Sequence, residues 1–256
     1  MTKESDGYVR ALARGLAAVE ALGRPPGRHT LAEVAFATEL NRATARRVLA
    51  TLVSLGYCEL SGRYYSLRPR ALGLGMSYLS TLPFWGHAQA VLEDLRNELA
   101  ESCALAVLDG TEIVYILRAP ARRILAGNLG IGSRLPAHLV SLGRVLLAGQ
   151  TQASLDAYLT AAELTKRTDR TISDPETLRA ELAKVAQSGF AWVDGELDPA
   201  ICGLAVPVRD GKGRLLAAIS VNTISGSLTE AVAKERFLVP LRRAAQEMRL
   251  RSPGGD

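Results

Sequence analysis

Apolar residues recur at helical spacing three times in the first quarter of the chain. Leu12, Leu16, Val19 and Leu22 follow one another at three or four positions, which predicts a helix over 9–22 with one apolar face. The run GRPPGRH at 23–29 breaks that pattern. Thr30, with Glu33 three residues on, has the spacing of a capping box and opens a short helix that turns Leu31, Val34 and Ala35 inward. Asn41 caps a third helix whose stripe is Ala45, Val48, Leu49, Leu52 and Leu55. Gly56 stands where a left-handed terminator is wanted. The second and third helices, joined by a tight turn, read as a helix-turn-helix. The period then shortens: 57–60 and 64–67 are strand-like and flank Ser61-Gly62-Arg63, a hairpin or wing with Arg63 at its tip.

Residues 70–82 read as a short connecting helix, weakened by Gly73 and Gly75 and ended by Pro83. The expected division is therefore 1–69, a linker over 70–82, and 83–256. The last part opens with an amphipathic helix near 85–99. SCALAVLD and TEIVYILRAP follow as strands around the hairpin turn Asp109-Gly110, with RRILAGNLG as a third strand. A Gly/Pro-rich loop, GIGSRLPAH, delivers the helix SLGRVLLAG. Helical or polar stretches fill 151–188. FAWVDGEL, GLAVPVRD and RLLAAISVNTI are strands, and 228–249 is a final helix. Strands, then helices, then strands predict an α+β domain with a largely antiparallel sheet.

Charge sharpens this division. The net charge of +5 is matched by residues 1–75 alone, with 11 Lys/Arg against 6 Asp/Glu, and the remainder is balanced. Residues 41–70 hold six arginines (Arg42, Arg46, Arg47, Arg63, Arg68, Arg70) and one acid, Glu59. A basic face on a helix and wing suits the phosphates of duplex DNA. Because the core stripe consumes Ala45, Val48, Leu49 and Leu52, residues Arg42, Thr44, Arg46 and Arg47 are left outside. Arg42, Thr44 and Arg47 are the best candidates for base contacts. Arg46 and Arg63 suit phosphate, and Arg14 of the first helix suits the DNA backbone.

The second candidate site is the turn from Arg134 to Gly143. A Gly/Pro-held loop that delivers a helix start at Ser141 offers free N–H groups and a positive dipole end, an anion or carboxylate site. An ordinary capped helix has the same local sequence.

RALARGLAAVEAL, TLAEVA and LNRATARRVLATLVSLGY, followed by the wing, resemble the IclR (isocitrate-lyase-regulator) family of bacterial transcription factors. SCALAVLDGTEIVYI, IGSRLPAHLVSLGRVLLAG, TISDPETLRAEL and GLAVPVRDGKGRLLAAISV resemble its effector domain. The likeness covers nearly the whole chain. It is strongest to the subgroup that controls protocatechuate, hydroxybenzoate and β-ketoadipate catabolism. The resemblance implies a winged helix-turn-helix on a GAF-like effector-binding domain that senses a small aromatic or keto carboxylic acid. It implies operator DNA as partner and a homodimer or dimer of dimers. It places Ser141, Leu142 and the neighbouring His138 at the pocket, Ile201 and Gly203 on its wall, and Ser220 and Asn222 on its floor. The chain departs from the family at Ala200-Ile201-Cys202-Gly203, and it has His138 where the subgroup often has Tyr.

Other chemistries find little support. The three cysteines (Cys58, Cys103, Cys202) are far apart and suit a reducing cytoplasm. No histidine spacing resembles a metal ligand pair, no dinucleotide or nucleophile-elbow motif occurs, and no cofactor is expected. The N-terminus lacks a secretory apolar core, and no apolar window spans a membrane. Two rival readings are an enzyme using Ser141 or Cys202 as nucleophile, and a redox sensor using Cys103 or Cys202. Asp194, Glu196 and Asp198 read as solvated loop acids.

Overall fold

The caps expected at Thr30 and Asn41 are formed, and they set the frame of the N-terminal unit. The computed structural model describes residues 7–121 and 129–250. Its two compact units divide between Leu79 and Ser80. In the first, α1 (Arg10–Leu22), α2 (Leu31–Ala37) and α3 (Arg42–Ser54) precede β2 (Cys58–Ser61) and β3 (Tyr64–Leu67). Thr30 Oγ1 accepts from Glu33 N, and the Glu33 carboxylate accepts from Thr30 N at 2.7 Å. Asn41 Oδ1 accepts from Thr44 N at 2.8 Å. Gly56 takes φ +77° just past α3 and turns the chain into the wing.

One strand of this unit escaped the sequence reading. Arg28–Thr30, at the end of the breaker run, is a strand, β1, paired antiparallel to β3 with Thr30 opposite Tyr64. The wing is thus three-stranded, in the order β1-β3-β2. The core beneath it is Ala18, Leu22, Val34, Leu49, Leu52 and Cys58. Leu12 and Leu16 do not join this core: they are 63 % and 49 % exposed. Leu55 of the expected α3 stripe is exposed as well. A short 3₁₀ turn, Pro69–Ala71, leads into α4 (Leu72–Leu79).

The second unit starts with α5 (Trp85–Leu99) and pairs β4 (Ser102–Asp109) with β5 (Glu112–Ala119). The strand read over RRILAGNLG falls mainly on 122–128, outside the described residues. Where a loop was expected, Arg134–Pro136 forms β6 on β5, with Pro136 at its end. A 3₁₀ turn, Ala137–Leu139, then delivers α6 (Ser141–Ala148). After α7 (Gln152–Ala161) and α8 (Pro175–Ser188) come β7 (Ala191–Asp194), β8 (Ile201–Arg209), β9 (Leu215–Ile224) and α9 (Glu230–Leu250). The sheet order is β6-β5-β4-β9-β8-β7, antiparallel in every pair.

The two faces of this sheet differ in side-chain size. Residues directly opposite in an antiparallel pair share a face. Ala104, Ser220, Ala205 and Ala191 therefore form one row across β4, β9, β8 and β7. Ser102, Asn222, Gly203 and Val193 form the next. This face of small side chains lies under α6: Ala104, Ala106, Ala205 and Ala218 share a core with Leu142, Val145 and Leu146. The opposite face presents Leu105, Val107, Leu204, Val206, Ile219 and Val221, all buried, and α5 and α9 pack on the sheet there.

Candidate nucleic-acid interface and ligand recess

The cap at Asn41 fixes which α3 side chains are free. With Ala45, Leu49 and Leu52 buried, Arg42, Arg46 and Arg47 stand exposed and Thr44 half-buried on the first two turns. They fall into two groups. Arg47 and Thr44 border a groove of about 590 Å³ together with Arg14 of α1. Arg42 and Arg46 border another, about 460 Å³, with wing Arg63 and the start of α2. None of these five arginines is ion-paired to an acid among the described residues. Tyr64 holds the wing tip: its hydroxyl accepts from Arg63 Nη2 at 2.9 Å, and its ring lies 5.1 Å from the Arg63 guanidinium. Arg28 of β1 sits 5.5 Å from the same ring. That basic residue was missed because β1 itself was read as a break.

In the second unit, polar side chains converge on Gly203. A methyl group there would stand 2.5 Å from Asn222 Oδ1 and 3.1 Å from Ser141 Oγ. The start of α6 and the neighbouring strands β8 and β9 therefore bring Ser141, Gly203 and Asn222 together, and Asn222 Nδ2 donates to Ser220 Oγ at 3.0 Å. Ser141 and Ser220 are buried. The helix start itself is pressed onto the preceding turn: a Cβ at Gly143 would fall 2.0 Å from Ala137 O, so no side chain fits. The result is a polar cluster, buried at Ser141 and Ser220 and half-buried at Asn222, on a floor of Gly and Ala beside a helix N-terminus with no side-chain cap.

The other expected pocket residues are placed differently. Leu142 is 1 % exposed and packs in the core between α6 and the sheet. Ile201, at the start of β8, is exposed. His138 is not brought into the Ser141 cluster by any hydrogen bond. Its Nδ1 lies 3.3 Å from the Tyr158 hydroxyl of α7, which also accepts from His138 N. It borders a separate cavity of about 340 Å³ with Thr111, Glu112 and Arg167. Burial, with the Arg144 guanidinium nearby, pulls the imidazole down to about 4, so at neutral pH it is uncharged.

An ion pair that the sequence reading missed supports the helix start. Arg144 Nη2 donates to Glu196 Oε2 at 2.5 Å, both side chains are buried, and Arg144 Nε donates to His138 O. Ile172 N donates to the same carboxylate. Glu196 is therefore not a solvated loop acid. Burial raises its carboxyl above the usual range, and Arg144 opposes that shift. Asp194 is also engaged, accepting from Arg170 Nη1 at 2.6 Å and from Ser225 Oγ at 2.5 Å. Cys202 and Cys103 are buried, and desolvation pushes their thiols up to about 11 and about 12. No group of three or more metal-ligating side chains occurs among the described residues. Among the same residues, no helix is long and apolar enough to cross a membrane.

Comparison with known proteins agrees with both halves. Residues 11–61 match the IclR helix-turn-helix domain, and 76–250 match the bacterial transcriptional regulator IclR C-terminal domain. The chain is 40 % identical over 242 residues to the Pca regulon regulatory protein of Pseudomonas putida, covering 94 % of this chain and 83 % of that one. It is 31 % identical over 250 residues to the p-hydroxybenzoate hydroxylase transcriptional activator of Acinetobacter baylyi, covering 96 % and 92 %. Among solved structures, a putative transcriptional regulator from Rhodococcus sp. RHA1 superposes with a TM-score of 0.83 at 40 % identity, covering 96 % and 98 %. An IclR homolog complexed with 4-hydroxybenzoate from Microbacterium hydrocarbonoxydans gives 0.84 at 25 % identity, covering 94 % and 98 %. The helix-turn-helix, the antiparallel effector sheet and these matches together make the chain a member of the IclR family of bacterial transcriptional regulators.

Proposed function

We propose that this regulator binds operator DNA through α3 and the wing and responds to a small aromatic or keto carboxylic acid held over Gly203. On the DNA side, Arg42, Thr44 and Arg47 meet bases, while Arg46, Arg63 and Arg14 meet phosphate. The supporting observation is their grouping along two grooves, with no acid among the described residues ion-paired to them. On the ligand side, the observation that carries the reading is the convergence of Ser141 Oγ and Asn222 Oδ1 over Gly203. The relative bound to 4-hydroxybenzoate, and the relatives named for p-hydroxybenzoate and Pca regulation, favour an aromatic acid.

One winged helix spans too few base pairs for genomic specificity, so two copies read paired half-sites in the cytoplasm. The exposed Leu12, Leu16 and Leu74 of the first unit offer a face for self-association. The effector shifts the balance between DNA-competent arrangements through the linker at 70–82. The enzyme and redox readings fare poorly. The buried thiols with raised pKa resist forming the reactive thiolate, and His138 is engaged by Tyr158. The direct test is electrophoretic mobility shift on the chain's own promoter region, with aromatic and keto acids titrated in. A change in operator affinity with at least one acid, without its consumption, is expected. Operator affinity indifferent to every acid, or turnover of one, would sink the reading.

A further inference from the structure

The register of the sheet extends the recess onto a strand that neither the charge pattern nor the helix start pointed to. Arg118 of β5 lies opposite Ala104 of β4, which lies opposite Ser220 of β9. Arg118 therefore shares the small-residue face and stands two strand spacings, roughly 10 Å, from the Ser220 backbone. Its guanidinium is held on that face by two contacts. Nη1 donates to the carbonyl of Leu129, whose side chain packs against the α6-side core, and the guanidinium carbon lies 5.3 Å from the buried Tyr115 ring. Nε is buried and has no hydrogen-bond partner among the described residues.

Charge around this guanidinium is unbalanced. No acid among the described residues pairs with it. The acids of neighbouring segments are committed elsewhere: Asp194 to Arg170 and Ser225, Glu196 to Arg144, and Glu101 to Arg236. A partly buried cation with an unused donor is costly unless something negative completes it. Between Arg118 and the Ser220–Asn222 pair, β4 presents two small side chains, Ala104 opposite Ser220 and Ser102 opposite Asn222.

We propose that Arg118 is the counter-ion for the effector's carboxylate. The acid's carbon skeleton lies over Ala104 and beside Tyr115, and its far polar end meets Ser220, Asn222 and Ser141. The inference rests on the reading of this face as the effector site and adds the group that selects acids over neutral compounds. The planar fork of arginine suits a carboxylate bidentately, whereas an ammonium offers only a point charge.

The test uses the full-length protein and three acid–amide pairs measured by calorimetry: 4-hydroxybenzoate and 4-hydroxybenzamide, benzoate and benzamide, pyruvate and pyruvamide. The wild type is expected to prefer an acid to its amide by at least ten-fold. Arg118→Gln should remove most of that preference and bring the two affinities within about two-fold, while Arg118→Lys keeps an intermediate preference. The ligand-free melting temperature of each variant checks folding, and if Arg118→Gln does not fold, Arg118→Lys against wild type carries the comparison. An acid preference undiminished in the folded variants overturns the role of Arg118. If pyruvate binds and the aromatic acids do not, the aromatic reading falls and Arg118 is judged on the pyruvate pair. Binding of no carboxylate by the wild type overturns both.

Discussion

At the scale of single residues, the recess is defined by what is missing from them. Gly203 carries no Cβ, and the space it leaves is where Asn222 and Ser141 meet. Gly203→Ala places a methyl within 2.5 Å of the Asn222 amide oxygen. It is expected to displace that amide and to abolish the effector response, with operator binding in the absence of ligand retained. A ligand titration on the promoter complex checks this, and an unchanged midpoint would show that the site lies elsewhere. Sequence made some of these residues legible and hid others, for one physical reason. Ser220 and Asn222 alternate on one strand, so their common face follows from local periodicity. Arg144 and Glu196 are 52 positions apart, and only the packing of α6 against the end of β7 brings them together. Arg118 stands near the end of a mostly apolar strand. Its significance appears only when the register of three strands is known.

Elements were legible where their ends were chemically marked. The boundaries of α2 and α3 followed from Thr30, Glu33, Asn41 and Gly56, because each satisfies or terminates backbone groups locally. The strand β1 had no such mark: three residues after a Gly/Pro break acquire their state from β3, some 36 positions away. The strand β6 was hidden the same way, by a terminal Pro136 that reads as loop. Apolar periodicity named a face of α1 correctly but could not say what covers it, and Leu12 and Leu16 remain exposed. The cap on α3 gives an element-scale prediction. Asn41→Ala removes the acceptor for Thr44 N and should cost about 1 kcal/mol of stability. Because it loosens the turn that carries Arg42 and Thr44, operator affinity should fall by more than the melting curve alone explains. Chemical denaturation paired with operator titration measures both, and an affinity loss with no stability loss would show that Asn41 acts as a contact rather than a cap.

For the whole molecule, the uneven charge governs how binding depends on salt. Each phosphate contact adds roughly 0.9 to the slope of log affinity against log salt. Arg63→Ala should therefore lower the slope for operator binding by about one, and Gly203→Ala should leave it unchanged. Titrations between low and physiological salt read both, and a slope unaffected by Arg63→Ala would remove the wing from the interface. The partition of charge has a further consequence. The excess of +5 resides within residues 1–75, and the rest of the chain is neutral. On the proposed reading, an effector carrying a single negative charge enters the neutral part and leaves every basic side chain of the DNA face as it was. The message it sends is therefore one of shape rather than of field. Saturating ligand should shift the salt-dependence line vertically without tilting it, as a lever moves a magnet without demagnetising it.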